Sequence, residues 1–303
     1  MIGYIDKSKR PKSIEAITDG DGLIYLPEVG WLKTALIKQR VNLRPDSKVA
    51  CGLSVFFENN NVSFTFENQL KIVNTPFEIL NHQHTLLAPH YFDSKHRSVN
   101  VEIPNITSIQ KGKITKAFDL ISNHAPEYYS LLEQAIQKVV IFNDPSVKRN
   151  SFATLSVHGC AFFNSFQPEY DEVFFIEDIA HQCGHVIFNN MTHDNKGIFR
   201  VSPETLIIRK GIVGWVFNLL EKRTLFVAFH TLFTYYSITI CLEAVLLKAD
   251  LTALQKHEAL GRLAFCFGKY GNDLKLLGKL DKNGNSIYFS EAGLELFSPM
   301  EAL

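Results

Sequence analysis

Two histidines one helical turn apart carry the strongest chemical signal in this chain. His181 and His185 lie in the segment Glu177-Asp178-Ile179-Ala180-His181-Gln182-Cys183-Gly184-His185. Residues four apart on a helix share a face, with Cβ atoms about 5–6 Å apart, so two imidazoles there can hold one divalent ion. The neighbours Ile179, Ala180, Val186, Ile187 and Phe188 predict a mostly buried helix. Imidazoles in such surroundings need partners. A metal satisfies both at once, and two satisfied core or surface histidines are the plainer alternative.

The spacing is that of HExxH, with Gln182 where the motif has glutamate. In a zinc peptidase that glutamate is the general base that activates water. An amide cannot accept a proton at neutral pH, so hydrolysis would need Glu177 or Asp178 as a substitute. Those acids stand at i−4 and i−3 from His181, where they fit two roles equally. They can orient the His181 ring through a hydrogen bond, or simply complement the N-terminal half of a helix.

An open metal site needs a third protein ligand, and His230 is the best candidate. It lies in Arg223-Thr224-Leu225-Phe226-Val227-Ala228-Phe229-His230-Thr231-Leu232-Phe233, a strongly apolar helical run where an unpaired imidazole would be costly. A buried histidine bonded to a backbone carbonyl is the alternative. His193 and Asp194 fall in a stretch of turn composition, Met191 to Gly197. His82, His84, His90 and His96 cluster without helical or strand spacing, as surface loop histidines do.

The elements that must position these residues can be read from periodicity. From Gly22 to about Pro104 the signals are those of strands and turns. Leu53 to Phe57 and Val62 to Phe66 flank Glu58-Asn59-Asn60-Asn61, a hairpin pattern, and Val99 to Ile103 alternates. After Lys111-Gly112-Lys113 the period changes to helical, from Ala117 to Ile121 and from Tyr128 to Val140, with Ala125-Pro126 between the two helices. Phe152 to Phe166 reads as short strands and Val173 to Met191 as the histidine helix. Two further helices are expected, roughly Leu225 to Ala249 and Thr252 to Gly271. A turn follows at Asp281 to Asn285, and a last helix starts near Ser290. The expected fold class is therefore α+β, with a β-rich N-terminal region over 1–111 packed on a mainly helical, metal-binding region over 112–303.

Composition narrows the function. With 303 residues, 46% of them apolar and 24 of them Phe, the chain can bury a large core. Lys plus Arg and Asp plus Glu balance at 31 each, so no overall positive field exists to hold nucleic acid, and none is expected as a partner. Five cysteines without a CxxC pair argue against a disulfide framework and against a thiolate zinc site. They fit a reducing, cytoplasmic setting. The charged start, Met1 to Lys12, lacks the apolar core of a secretion signal. Leu225 to Leu247 is apolar enough to suggest a membrane span, yet His230, its hydroxyl residues and Glu243 favour a buried helix, so no membrane partner is expected.

From Lys113 to about Leu247 the order of segments resembles the HExxH-motif peptide-modifying proteins found beside ribosomal peptide natural-product genes. The characterised members of that family are iron(II)- and 2-oxoglutarate-dependent peptide β-hydroxylases. The matching features are the helical lead-in from Ala117 to Val140, the Ser156-Val157-His158-Gly159 region, the His181-Gln182-Cys183-Gly184-His185 helix, and Arg223 ahead of the helix bearing His230. The resemblance covers a little under half of the chain, and only the histidine helix is a sharp motif. It implies Fe(II) held by His181, His185 and His230, a 2-oxoglutarate co-substrate and a peptide substrate. Three protein ligands leave three positions, two for the keto acid and one for O₂. No carboxylate base is required, so Gln182 is awkward for a peptidase and tolerable for a hydroxylase. The far carboxylate of 2-oxoglutarate wants a guanidinium fork. Arg223, seven residues before His230, is the first candidate, with Arg200 and Arg209 as competitors. Two other readings stand beside this one: a zinc-dependent hydrolase with a displaced base, and a catalytically silent relative that binds a peptide or partner. The sequence leaves the oligomeric state, the substrate and the modified residue open.

Overall fold

The computed structural model describes residues 70–72, 75–80, most of 90–99, and 108–303, apart from 155–158, 193–196, 208–222 and a few single positions. The hairpin expected at Leu53 to Phe66 lies outside the described residues, as does most of the alternating stretch from Val99 to Ile103. Within them, α and β elements are mixed. In chain order these are β1 (Leu70–Lys71), β2 (Glu78–Leu80), α1 (Ser108–His124), α2 (Pro126–Ala135), β3 (Lys138–Phe142), β4 (Phe152–Ala153), β5 (Cys160–Asn164), α3 (Glu172–Met191), α4 (Leu225–Lys248), α5 (Ala253–Leu277) and α6 (Glu291–Glu301).

The chain divides into two compact units. The first runs to Asp119 and resumes over Tyr129–Glu172; the second takes Leu120–Tyr128 and Val173–Leu303. Gly112, where the period changes, lies inside α1, so the change marks entry into a helix and not a linker.

The first unit holds a sheet of order β1-β2-β3-β5-β4. β2, β3 and β5 run parallel, and the outer pairs β1–β2 and β4–β5 are antiparallel. All five residues of β3 and all five of β5 are buried, as expected of central parallel strands covered on both faces. This corrects the helical reading from Tyr128 to Val140. The helix ends at Ala135, and Lys138-Val139-Val140-Ile141-Phe142 is strand, because a β-branched run buried on both faces mimics a buried helix in composition. Phe152 on β4 faces Phe162 on β5 in register, with rings stacked 4.3 Å apart. Tyr91 meets Phe142, Phe152 and Phe162 edge-on.

The second unit is helical. α3 is buried at most positions from Val173 to Phe188, and α4 packs along α5. Thr224 caps α4 through its side chain, and Thr252 with Gln255 forms a capping box at the start of α5, each satisfying amides that a helix start leaves free. α5 continues past Gly271 to Leu277, where Arg223 and Tyr235 lie near its Asp273. α6 closes on a Phe cluster of Phe229, Phe289 and Phe297. Gly293 allows this closure, since a Cβ there would fall 2.1 Å from the Ile198 carbonyl oxygen. α4 is the described helix long and apolar enough to cross a membrane by length and composition, and 61% of its most apolar window is buried inside the protein.

Phe162 is wholly buried between Tyr91 and Phe152, so Phe162→Ala is expected to lower unfolding free energy by about 3–5 kcal/mol. Urea denaturation followed by fluorescence checks this, and a loss under about 1 kcal/mol would mean that the aromatic cluster is not the core of the first unit.

Candidate metal centre

α3 carries His181 and His185 on one stripe, and the next residue of that stripe is Phe188. α4 carries His230, and the same face continues through Thr234 and Ser237. The two helices approach closely where Gly184 meets this face. A Cβ on Gly184 would lie 3.2 Å from Ser237 Oγ and 3.6 Å from Thr234 Cα. Glycine at that point brings the α3 histidines within reach of His230. Tyr128 helps hold α3 in place, donating its hydroxyl to the Ala180 carbonyl at 2.8 Å.

The His185 ring adjoins both other imidazoles. Ring centroids are 4.9 Å apart for His181 and His185, and 4.6 Å apart for His185 and His230. Nδ1 of His185 and Nε2 of His230 share a hydrogen bond of 2.8 Å. Phe188 stacks flat on His230, 4.5 Å away at 9°, and Phe226 meets it at 64°. These contacts fix the ring without using its nitrogens. All three histidines are half-buried, so the cluster reaches the surface.

Among the described residues no three His, Cys, Asp or Glu groups converge in ligand geometry. The spacing is nonetheless that of ligands. Two imidazoles on one ion, at metal–nitrogen distances near 2.0–2.1 Å, place their nitrogens about 2.9–3.3 Å apart and their centroids roughly 4.5–5.2 Å apart. The separations of His185 from His181 and from His230 match within a few tenths of an ångström. A shared proton and a shared metal ion are alternative ways of occupying the same pair of lone pairs.

Burial depresses the proton affinity of all three rings. His181 is lowered by burial against an opposing pull from Glu177. His230 falls to about 4 through burial and then the charge of His181. His185 is lowered by burial and by both other imidazoles. Neutral imidazoles with available lone pairs are the protonation state that a metal needs.

The acids near the site are engaged elsewhere. Glu177, one turn before His181, pairs with Arg262 on α5, which also binds Glu258. Asp178 accepts from the Gln182 side-chain amide at 3.2 Å. Gln182, 5% exposed, therefore bonds one turn back along α3. Arg223 lies just before the α4 cap, and both of its terminal nitrogens bind Asp273, with Nη1 at 3.0 Å. An outside carboxylate would have to displace Asp273 from that fork. Arg200 is exposed, and Arg209, His193, Asp194, His82, His84 and His96 lie outside the described residues. His90 is described, and it interacts with Arg149 in the first unit.

Sequence reasoning missed Arg262, Asp273 and Phe188. Phe188 was legible as the third residue of the 181, 185, 188 stripe. The two ion pairs join residues 85 and 50 positions apart, and no local pattern announces such pairings. No protein-family model matches the chain, and a search of curated proteins gives no match.

His181→Ala and His185→Ala are each expected to abolish stoichiometric metal binding. Elemental analysis checks this, and unchanged metal content in both variants would remove the site. A second expectation concerns pH. Folded-state affinities for protons lie below the unfolded value near 6.5, so the metal-free protein keeps its full stability above about pH 6.5. It loses stability as pH falls below that, because the unfolded chain takes up protons that the folded chain refuses. Thermal midpoints measured from pH 7.5 to 5 should fall less in the His185→Phe variant than in the parent, and an equal fall would contradict the assignment.

Proposed function

We propose that the protein is an iron(II)- and 2-oxoglutarate-dependent oxygenase that hydroxylates a side chain of a peptide. The observation that supports this most is that His185 adjoins His181 on its own helix and His230 on another, with Glu177 and Asp178 already bonded. His181, His185 and His230 would hold the iron as three neutral ligands. They add no negative charge, so a divalent ion there keeps its full attraction for an anionic co-substrate. When bound, iron with the keto acid and O₂ supplies an oxidant strong enough to take hydrogen from carbon. The chain's own contribution is to hold three rings neutral, to brace His230 against Phe188, and to keep the site's acids away from it.

The arrangement of acids supports an oxygenase over a hydrolase. A hydrolase needs a carboxylate free to take a proton from water. Gln182 cannot do so, Asp178 accepts from Gln182, and Glu177 is held by Arg262. For the far carboxylate of 2-oxoglutarate, Arg223 is retained as the proposed anchor on the condition that the ligand exchanges with Asp273, one carboxylate for another on the same fork.

Anaerobic titration of iron(II) and then 2-oxoglutarate, followed by the metal-to-ligand charge-transfer band and by succinate formed on admitting O₂, tests the proposal. The band and uncoupled succinate are expected in the parent and in Gln182→Ala. Gln182→Glu is expected to gain no strong peptide hydrolysis; a large gain there would favour a metallopeptidase lineage. Arg223→Ala and Arg223→Lys should keep iron but weaken 2-oxoglutarate by an amount equivalent to about 2–5 kcal/mol. Parental affinity in both would move the anchor, and absence of the band in the parent would end the oxygenase reading.

A further inference from the structure

We infer that the first unit carries a carboxylate-binding site at Arg149, independent of the histidine cluster and of the oxygenase proposal. The guanidinium of Arg149 lies over two aromatic rings, 4.4 Å from the centroid of Phe92 and 3.7 Å from that of Phe152. These contacts orient the fork. Its Nε is buried without a hydrogen-bond partner, as is the hydroxyl of Tyr91. Tyr91 interacts electrostatically with Arg149 and touches Phe152 edge-on at 6.0 Å. Among the described residues no acid pairs with this guanidinium.

The nearest acid is committed to the backbone. Asp144 accepts from the amide of Ser146 at 3.0 Å and from the amide of Arg149 itself at 2.7 Å, and also from the Ser146 hydroxyl. Asn164 on β5 clamps the same loop, donating to the carbonyls of Asp144 at 3.2 Å and Arg149 at 3.0 Å. The loop is therefore rigid, and its one carboxylate is spent on holding it. A desolvated cation without an anion is unfavourable, and aromatic faces offset only part of that.

The geometry also selects the ligand. The rings occupy space over the guanidinium, and in its plane a carboxylate is gripped by two parallel N–H bonds. Arg97 is paired with Asp93, and Lys138 with Glu78. The planar fork of a guanidinium matches the two oxygens of a carboxylate. Arg149 stands shortly before β4, one of the two outer strands of the sheet among the described residues. An acidic side chain or the C-terminal carboxylate of an extended peptide is the natural bearer.

The test uses the full chain freed of metal by chelation, which keeps carboxylates from binding at the histidines. N-acetylglycine, a single carboxylate, its neutral amide N-acetylglycinamide and inorganic phosphate are titrated while the Arg Nε–H resonances are followed by NMR. N-acetylglycine is expected to shift the Arg149 resonance saturably and N-acetylglycinamide to leave it in place. Arg149→Ala should lose the binding. Arg149→Lys, which keeps charge and stem, should weaken it about tenfold or more, because a point charge cannot replace the fork. If Arg149→Ala fails to fold, the Lys variant alone decides. Tighter binding of phosphate than of N-acetylglycine would overturn the carboxylate assignment. No saturable binding of either anion, or unchanged affinity in Arg149→Lys, would overturn the site.

Discussion

The geometry of the histidine cluster depends on how closely α3 and α4 approach at Gly184. A helix surface normally keeps its neighbour's axis 8–10 Å away, set by the side chains at the contact. With no side chain on Gly184 and only a hydroxymethyl group on Ser237, the crossing tightens until a Cβ would press on Ser237 Oγ. That closeness lets a nitrogen on α3 and a nitrogen on α4 come within 2.8 Å of each other. Phe188 then fixes the His230 ring by stacking on it.

From that crossing the electrostatics follow. Rings brought together in a largely desolvated place cannot all carry a proton, so burial and mutual repulsion keep them neutral. The surrounding charges are arranged in closed pairs: Glu177 with Arg262, Asp273 with Arg223, and Asp178 with the Gln182 amide. Each pair joins α3 or the start of α4 to the rest of the helical unit, or braces α3 along its own length. The Gln182 departure from the HExxH pattern is thus accommodated locally, since its amide donates to an acid one turn away and places no charge beside the imidazoles.

Much of this site was legible from the amino-acid sequence, and the part that was not shows why. The i, i+4 spacing of His181 and His185 and the apolar setting of His230 marked all three residues that the fold brings together, because helical periodicity is a local property. Arg223 was also singled out, but its partner Asp273 sits on a different helix, and pairing across 50 residues leaves no trace in spacing. The strand Lys138–Phe142 was mistaken for helix because burial on both faces erases the period that separates the two. Arg149 attracted no notice in the sequence, since its significance lies in rings contributed by Phe92, far from it along the chain, and Phe152.

His181, His185 and His230 are proposed to form one divalent metal site. X-ray absorption at the metal edge of iron(II)-loaded protein, prepared without oxygen, tests this most directly. Three imidazole nitrogens bound to iron are expected, falling to two in His230→Ala. A spectrum that shows no imidazole scattering, or one unchanged by that substitution, would contradict it.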